Sequence, residues 1–91
     1  MVVEQTIQLL NETGMHLRPA MMLANLASSF ESTISVAKVG QPPAADAKSI
    51  ISLLTLGAEK GSRLTICAKG QDAEQALAAL VALIAGGFSA G

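Results

Sequence analysis

The sequence predicts an α+β fold in which helices cover one face of an antiparallel sheet. Three observations point there. Apolar and polar residues alternate in separate stretches, other stretches carry apolar residues at helical spacing, and the two kinds follow one another as strand, helix, strand, short strand, helix, strand, helix. At 91 residues the chain can bury one modest core, so a single domain over residues 1–91 is expected, with the last few residues frayed.

Residues 2–10 partly alternate, with Val3, Ile7 and Leu9 on one side and Glu4, Thr6 and Gln8 on the other, as in a half-buried strand. Asn11, Glu12, Thr13 and Gly14 form a turn-like cluster. Pro19 then stands where a helix tolerates it as first residue, because the N–H it lacks has no intrahelical partner there, so a helix is expected over about residues 19–30. Residues 33–39 alternate again. Gly40, Gln41, Pro42 and Pro43 make an abrupt turn whose prolines forbid a central strand nearby, which leaves a short strand around residues 44–46. Ser49 before Ile50, Ile51, Leu53, Leu54 and Leu56, with Gly57 behind, reads as N-cap, apolar helix and stop. Residues 62–69 are the clearest strand, with Leu64, Ile66 and Ala68 inward and Arg63, Thr65, Cys67 and Lys69 outward. Asp72 and Gln75 resemble a capping box for a last helix that buries Ala73, Ala76, Leu77, Leu80, Val81 and Ile84.

Composition narrows the function. About half the chain is hydrophobic but only two residues are aromatic, so Leu, Ile, Val, Ala and Met must fill the core, and a stacking platform for single-stranded nucleic acid is not expected. Six basic against seven acidic residues, with no Lys/Arg cluster, leave nothing to neutralise a run of phosphates, so no nucleic-acid partner is expected. The apolar stretch 76–88 is shorter than the roughly 20 residues of a bilayer span and carries two glycines, so no membrane insertion is expected. A lone Cys67 cannot form an internal disulfide, and the first residues lack a secretion-signal pattern. Both favour a cytoplasmic setting, with Cys67 a passive thiol. One His and one Cys make no metal site, and no cofactor is expected.

The distinctive constellation is Gly14-Met15-His16-Leu17-Arg18-Pro19-Ala20, a lone histidine just ahead of a helix. A helix start presents unpaired N–H groups and the positive end of its dipole, so an anion on His16 would meet donors on the backbone of Leu17 and Arg18. The Arg18 guanidinium can bridge phosphoryl oxygens with a geometry lysine lacks. Gly14 permits close backbone approach, while Glu12 and Thr13 are polar neighbours able to hydrogen-bond the imidazole. A neutral imidazole attacks phosphorus without a separate base, and the phosphoramidate it forms stays reactive enough to be passed on.

This motif and a second one, Ala47-Lys48-Ser49-Ile50 followed by Leu54-Thr55-Leu56-Gly57, stand in the order found in the HPr family, the histidine-containing phosphocarriers of bacterial phosphotransferase systems. The chain resembles that family over about residues 2–86 in motif, length and element order. The resemblance implies an HPr-like open-faced β-sandwich, a four-stranded antiparallel sheet with three helices on one face. It implies a phosphocarrier rather than an enzyme: Nδ1 of His16 (the pros position) is phosphorylated by enzyme I, with Arg18 assisting and Thr13, Gly14 and Leu17 forming the phosphate-stabilising loop. The acceptor would be an enzyme IIA. Ser49 matches a position that some lineages phosphorylate with a dedicated kinase, the HPr kinase/phosphorylase, although an ordinary N-cap role is the favoured reading and the two are compatible. A docking surface is expected from Met21, Lys48, Ile50, Ile51 and Leu54, and a carrier that shows one loop to successive partners is most simply a monomer.

Asn25 and Ser28 stand where sugar-system members often carry lysines, and Leu17 replaces a small residue, so electrostatic steering toward an acidic partner should be weaker. Positive charge near the site is expected from Arg18 and Lys48. Gly-Met-His, Met21 and the ending 82–88 look like the nitrogen-related branch, whereas Lys48-Ser49 and Leu56-Gly57 look like the sugar branch. Two other readings compete. One is an acylphosphatase-like hydrolase with an arginine-bearing anion loop. The other is an HPr-fold regulatory module that binds through Ser49 and the apolar patch without holding phosphate.

Overall fold

A computed structural model describes residues 1–89. The expected fraying of the chain end falls in part on residues 90 and 91, outside the described residues. The strands are β1 (Val2–Gln8), β2 (Thr33–Lys38), β3 (Gln41–Asp46) and β4 (Arg63–Lys69), and the helices are α1 (Leu17–Ser28), α2 (Ile50–Thr55) and α3 (Ala73–Ala85). All strand pairs are antiparallel, in the order β1-β4-β2-β3. The result is the anticipated open-faced sandwich, with the helices on one face of the sheet.

The clearest sequence pattern, β4, lies in the middle, with β1 and β2 on either side. Its inward residues Leu64, Ile66 and Ala68 are fully buried. Ile7 opposes Leu64 across β1, and Ile34 and Val36 oppose Ala68 and Ile66 across β2. On the open face polar side chains predominate, with Val2, Ala37 and Cys67 among them, and the hydroxyls of Thr6 and Thr65 meet at 2.9 Å. Below the sheet, Leu23 and Ala27 of α1, Leu53 of α2, and Ala76, Leu80 and Ile84 of α3 complete a core of mostly aliphatic side chains. Small alanines let the helices approach the sheet closely.

Three element expectations need correction. First, α1 begins at Leu17 rather than Pro19, with His16 as its N-cap. Pro19 is the third helical residue, still within the first turn whose N–H groups lack intrahelical acceptors, and the first ladder bond runs from Ala20 N to His16 O at 2.9 Å. Second, β3 starts at Gln41 and contains both prolines. It is an edge strand, so a missing donor can face away from the ladder. Third, the capping box at α3 does not form: Asp72 occupies the N-cap position but its side chain makes no cap bond. Its carboxylate instead accepts from the amides of Glu31 at 2.8 Å and Ser32 at 2.9 Å, and from the Ser32 hydroxyl. These bonds pull the Asp72 carboxyl below its usual range, the hydroxyl contributing most, and they satisfy the buried Ser32 at the entrance to β2.

Candidate functional site

The loop between β1 and α1 is held from two sides. Gly14, at φ +65°, takes a left-handed turn that favours glycine, and its amide closes on Asn11 O at 3.1 Å. The Asn11 side-chain amide donates back to Gly14 O at 2.7 Å. Met15 is buried as an anchor, and its amide donates to Ala58 O, beyond α2, at 2.9 Å. The residue between this anchor and the helix is His16, extended at φ −82° and ψ −176° and exposed to solvent.

His16 therefore stands at the head of α1, and its side chain caps nothing. The amides of Leu17 and Arg18 have no backbone acceptor among the described residues, so the donors expected for an anion are free. Arg18 is exposed, with no side-chain hydrogen bond or ion pair among the described residues. Neither Glu12 nor Thr13 hydrogen-bonds the imidazole. Glu12 is paired with Lys60 at 2.6 Å, which holds its carboxyl below the ordinary range, and Thr13 accepts weakly from Asn11 at 3.4 Å.

The imidazole lies on a ridge between two open grooves. One, of about 780 Å³, runs past Met15 and Leu17 to Leu54, Ala58 and the Glu12–Lys60 pair. The other, of about 400 Å³, contains Asn11, Arg18, Pro19, Met22, Gly87 and Phe88. The sequence reading missed Asn11 and Phe88. The usable signal for Phe88 was an aromatic side chain directly after a Gly-Gly helix stop in a chain with only two aromatics.

The second motif forms α2. Ser49 is its N-cap, with Oγ accepting from Ser52 N at 3.2 Å. Ile51 is 76% exposed, while Leu17, Met21 and Leu54 are exposed to lesser degrees and Ile50 packs partly against the core. Lys48 departs from its expected place: its ammonium donates to Phe30 O at 2.8 Å, just past the far end of α1. Twelve helical residues separate that end from His16, roughly 18 Å of rise, so the nearby positive side chain is Arg18, with Lys60 across the other groove engaged by Glu12.

A surface imidazole at a helix start, backed by two unpaired amides and an exposed guanidinium, has the donors to hold a small anion such as a phosphoryl group, the site of a histidine-based phosphoryl-binding protein. Comparison with known proteins agrees. Residues 3–86 match the PTS-HPr family, described as "PTS HPr component phosphorylation site". The chain is 40% identical to phosphocarrier protein NPr of Escherichia coli K12 over 88 residues, 97% of each chain. It is 43% identical over 82 residues to a multiphosphoryl transfer protein of Salmonella typhimurium, of which that match covers 22%. HPr of Thermoanaerobacter tengcongensis superposes with a TM-score of 0.88 at 41% identity, covering 94% of both chains. The chain belongs to the HPr family of phosphotransferase-system phosphocarriers.

Proposed function

We propose that the chain accepts a phosphoryl group from phosphorylated enzyme I on Nδ1 of His16 and passes it to an enzyme IIA, acting as a monomer in the cytoplasm. The Nδ1 lone pair attacks phosphorus while the bond from phosphorus to the donor's leaving atom breaks, its electrons staying with the donor. Nε2 keeps its proton throughout, and the reverse sequence delivers the group to the acceptor. Arg18 and the amides of Leu17 and Arg18 receive the charge on the phosphoryl oxygens, with Gly14 and Thr13 shaping the loop. The observation that carries this reading is the exposed His16 at the N-terminus of α1 with those two amides unpaired.

Partners dock across Leu17, Met21, Ile51 and Leu54, whose apolar side chains are exposed, with Leu17 and Leu54 lining the groove beside His16 and Ile50 packed partly against the core. Lys48 contributes through the position of Ser49 rather than through charge at His16. A kinase acting on Ser49 would place negative charge on this same face, which the start of α2 tolerates and an acidic partner does not.

The test is incubation with phosphoenolpyruvate and an enzyme I of the sugar or the nitrogen type, followed by intact mass and phosphorus NMR, with His16→Ala as control. One acid-labile phosphoryl group, lost in the variant, is expected. Absence of label with both donors would favour a binding-only regulator controlled at Ser49.

A further inference from the structure

The turn after α3 is more elaborate than a helix stop requires. Gly87 N bonds Ile84 O at 2.9 Å and Phe88 N bonds Leu83 O at 3.0 Å, the paired closure in which one left-handed residue reverses the chain. Gly87, at φ +69°, supplies that residue. Phe88 follows at φ +61°, a second left-handed residue at a position where a bulky side chain is an outlier. Helix closure does not ask for it. In this conformation Phe88, only 7% exposed and packed against the hydrophobic core, also borders the 400 Å³ groove that contains both His16 and Arg18. Backbone strain that persists beside a reactive group is a pointer to function.

Arg18 is where such a wall matters. A guanidinium with no partner samples many rotamers, and each one turned away from His16 lowers the fraction ready to meet a phosphoryl group. Pro19 and Met22 border the groove from α1, and Gly87 and Phe88 border it from the end of α3. An aromatic face attracts a guanidinium, and an apolar wall limits water on that side, which strengthens the bond from arginine to phosphoryl oxygen.

We propose that Phe88 is a positioning residue for phosphoryl transfer: its ring walls the groove that Arg18 shares with His16 and keeps the guanidinium directed at the phosphoryl group. This rests on the phosphocarrier reading given above. The test is a double-mutant cycle on the rate of uptake from phosphorylated enzyme I, using the full chain, Phe88→Ala, Phe88→Leu, Arg18→Ala and the Phe88→Ala/Arg18→Ala pair. Phe88→Ala should slow uptake about tenfold where Arg18 is present and leave it unchanged where Arg18 is absent. Phe88→Leu, which restores an apolar wall, should recover most of the rate. Equal slowing in both backgrounds would reduce Phe88 to a fold residue and overturn the proposal. In the unaltered phosphorylated chain, nuclear Overhauser contacts between the Phe88 ring and the Arg18 side chain are expected, and their absence would also overturn it, whatever the folding of the variants. A full chain that takes up no phosphoryl group would instead sink the carrier reading, and this role with it.

Discussion

Gly14 packs so closely on Ala58 that a Cβ built on the glycine would stand 2.5 Å from the alanine's carbonyl oxygen. The same oxygen accepts the Met15 amide, so the loop that presents His16 is fastened to the segment following α2. Gly14→Ala must therefore both occupy a left-handed conformation and push backbone aside. The conformational penalty alone is roughly 1–3 kcal/mol. For a domain of this size each kcal/mol lowers Tm by about 4–8 °C. Thermal unfolding and uptake measured on one preparation should show both a lower Tm and slower phosphorylation. An unchanged Tm would mean that the loop is not pinned there.

Ser49 carries a structural role that can be separated from any regulatory one. Its Oγ satisfies the Ser52 amide at the start of α2, so Ser49→Ala should cost about 1 kcal/mol. Ser49→Asp keeps a capping oxygen and should unfold near the original temperature. If partners meet this face with acidic groups, the aspartate should slow transfer while the alanine leaves it nearly intact. Urea titration gives the first pair of numbers and transfer kinetics the second. Equal transfer rates in the two variants would remove Ser49 from the docking face.

Neighbouring residues of α2 point to opposite sides and predict opposite phenotypes. Leu53 is fully buried, and truncation to alanine should cost about 2–5 kcal/mol. Ile51 is 76% exposed, and its truncation should change stability by no more than about 0.5 kcal/mol. If Ile51 is a docking contact, its loss should raise the apparent KM of the phosphoryl-donating enzyme for this carrier with little change in kcat. Steady-state transfer with increasing carrier concentration distinguishes this from a simple surface residue, for which neither parameter moves.

Asp72 ties the start of α3 to the entrance of β2 only as a carboxylate. Because its folded pKa is depressed, first by the Ser32 hydroxyl and then by the Glu31 amide, its contribution is present above the ordinary carboxylate range. That contribution is lost as pH falls through the depressed folded value. Asp72→Asn should therefore unfold at lower temperature than the original chain at neutral pH, and the gap should narrow on acidification. Unfolding temperatures followed from neutral to strongly acidic pH test this. A gap independent of pH would mean that the clamp is not electrostatic.

Much of the architecture was legible because period is a local property. Alternation in residues 62–69 and helical spacing in residues 73–84 identify which face of each element is buried before any neighbour is known, and β4 and α3 follow accordingly. The histidine motif was legible for the same reason: His16, Arg18 and the helix start lie within a few residues of one another. Tertiary structure alone decided matters that depend on partners distant in sequence. It made β3 an edge strand, so the prolines could stay within it. It turned Asp72 away from its own helix toward Ser32, 40 residues earlier, where two amides and a hydroxyl outbid a single cap bond. It also drew Lys48 to the Phe30 carbonyl and brought Phe88 to the groove beside Arg18. Sequence spacing specifies directions along one element, whereas these placements are settled by which buried surfaces and unpaired polar groups meet when the elements pack.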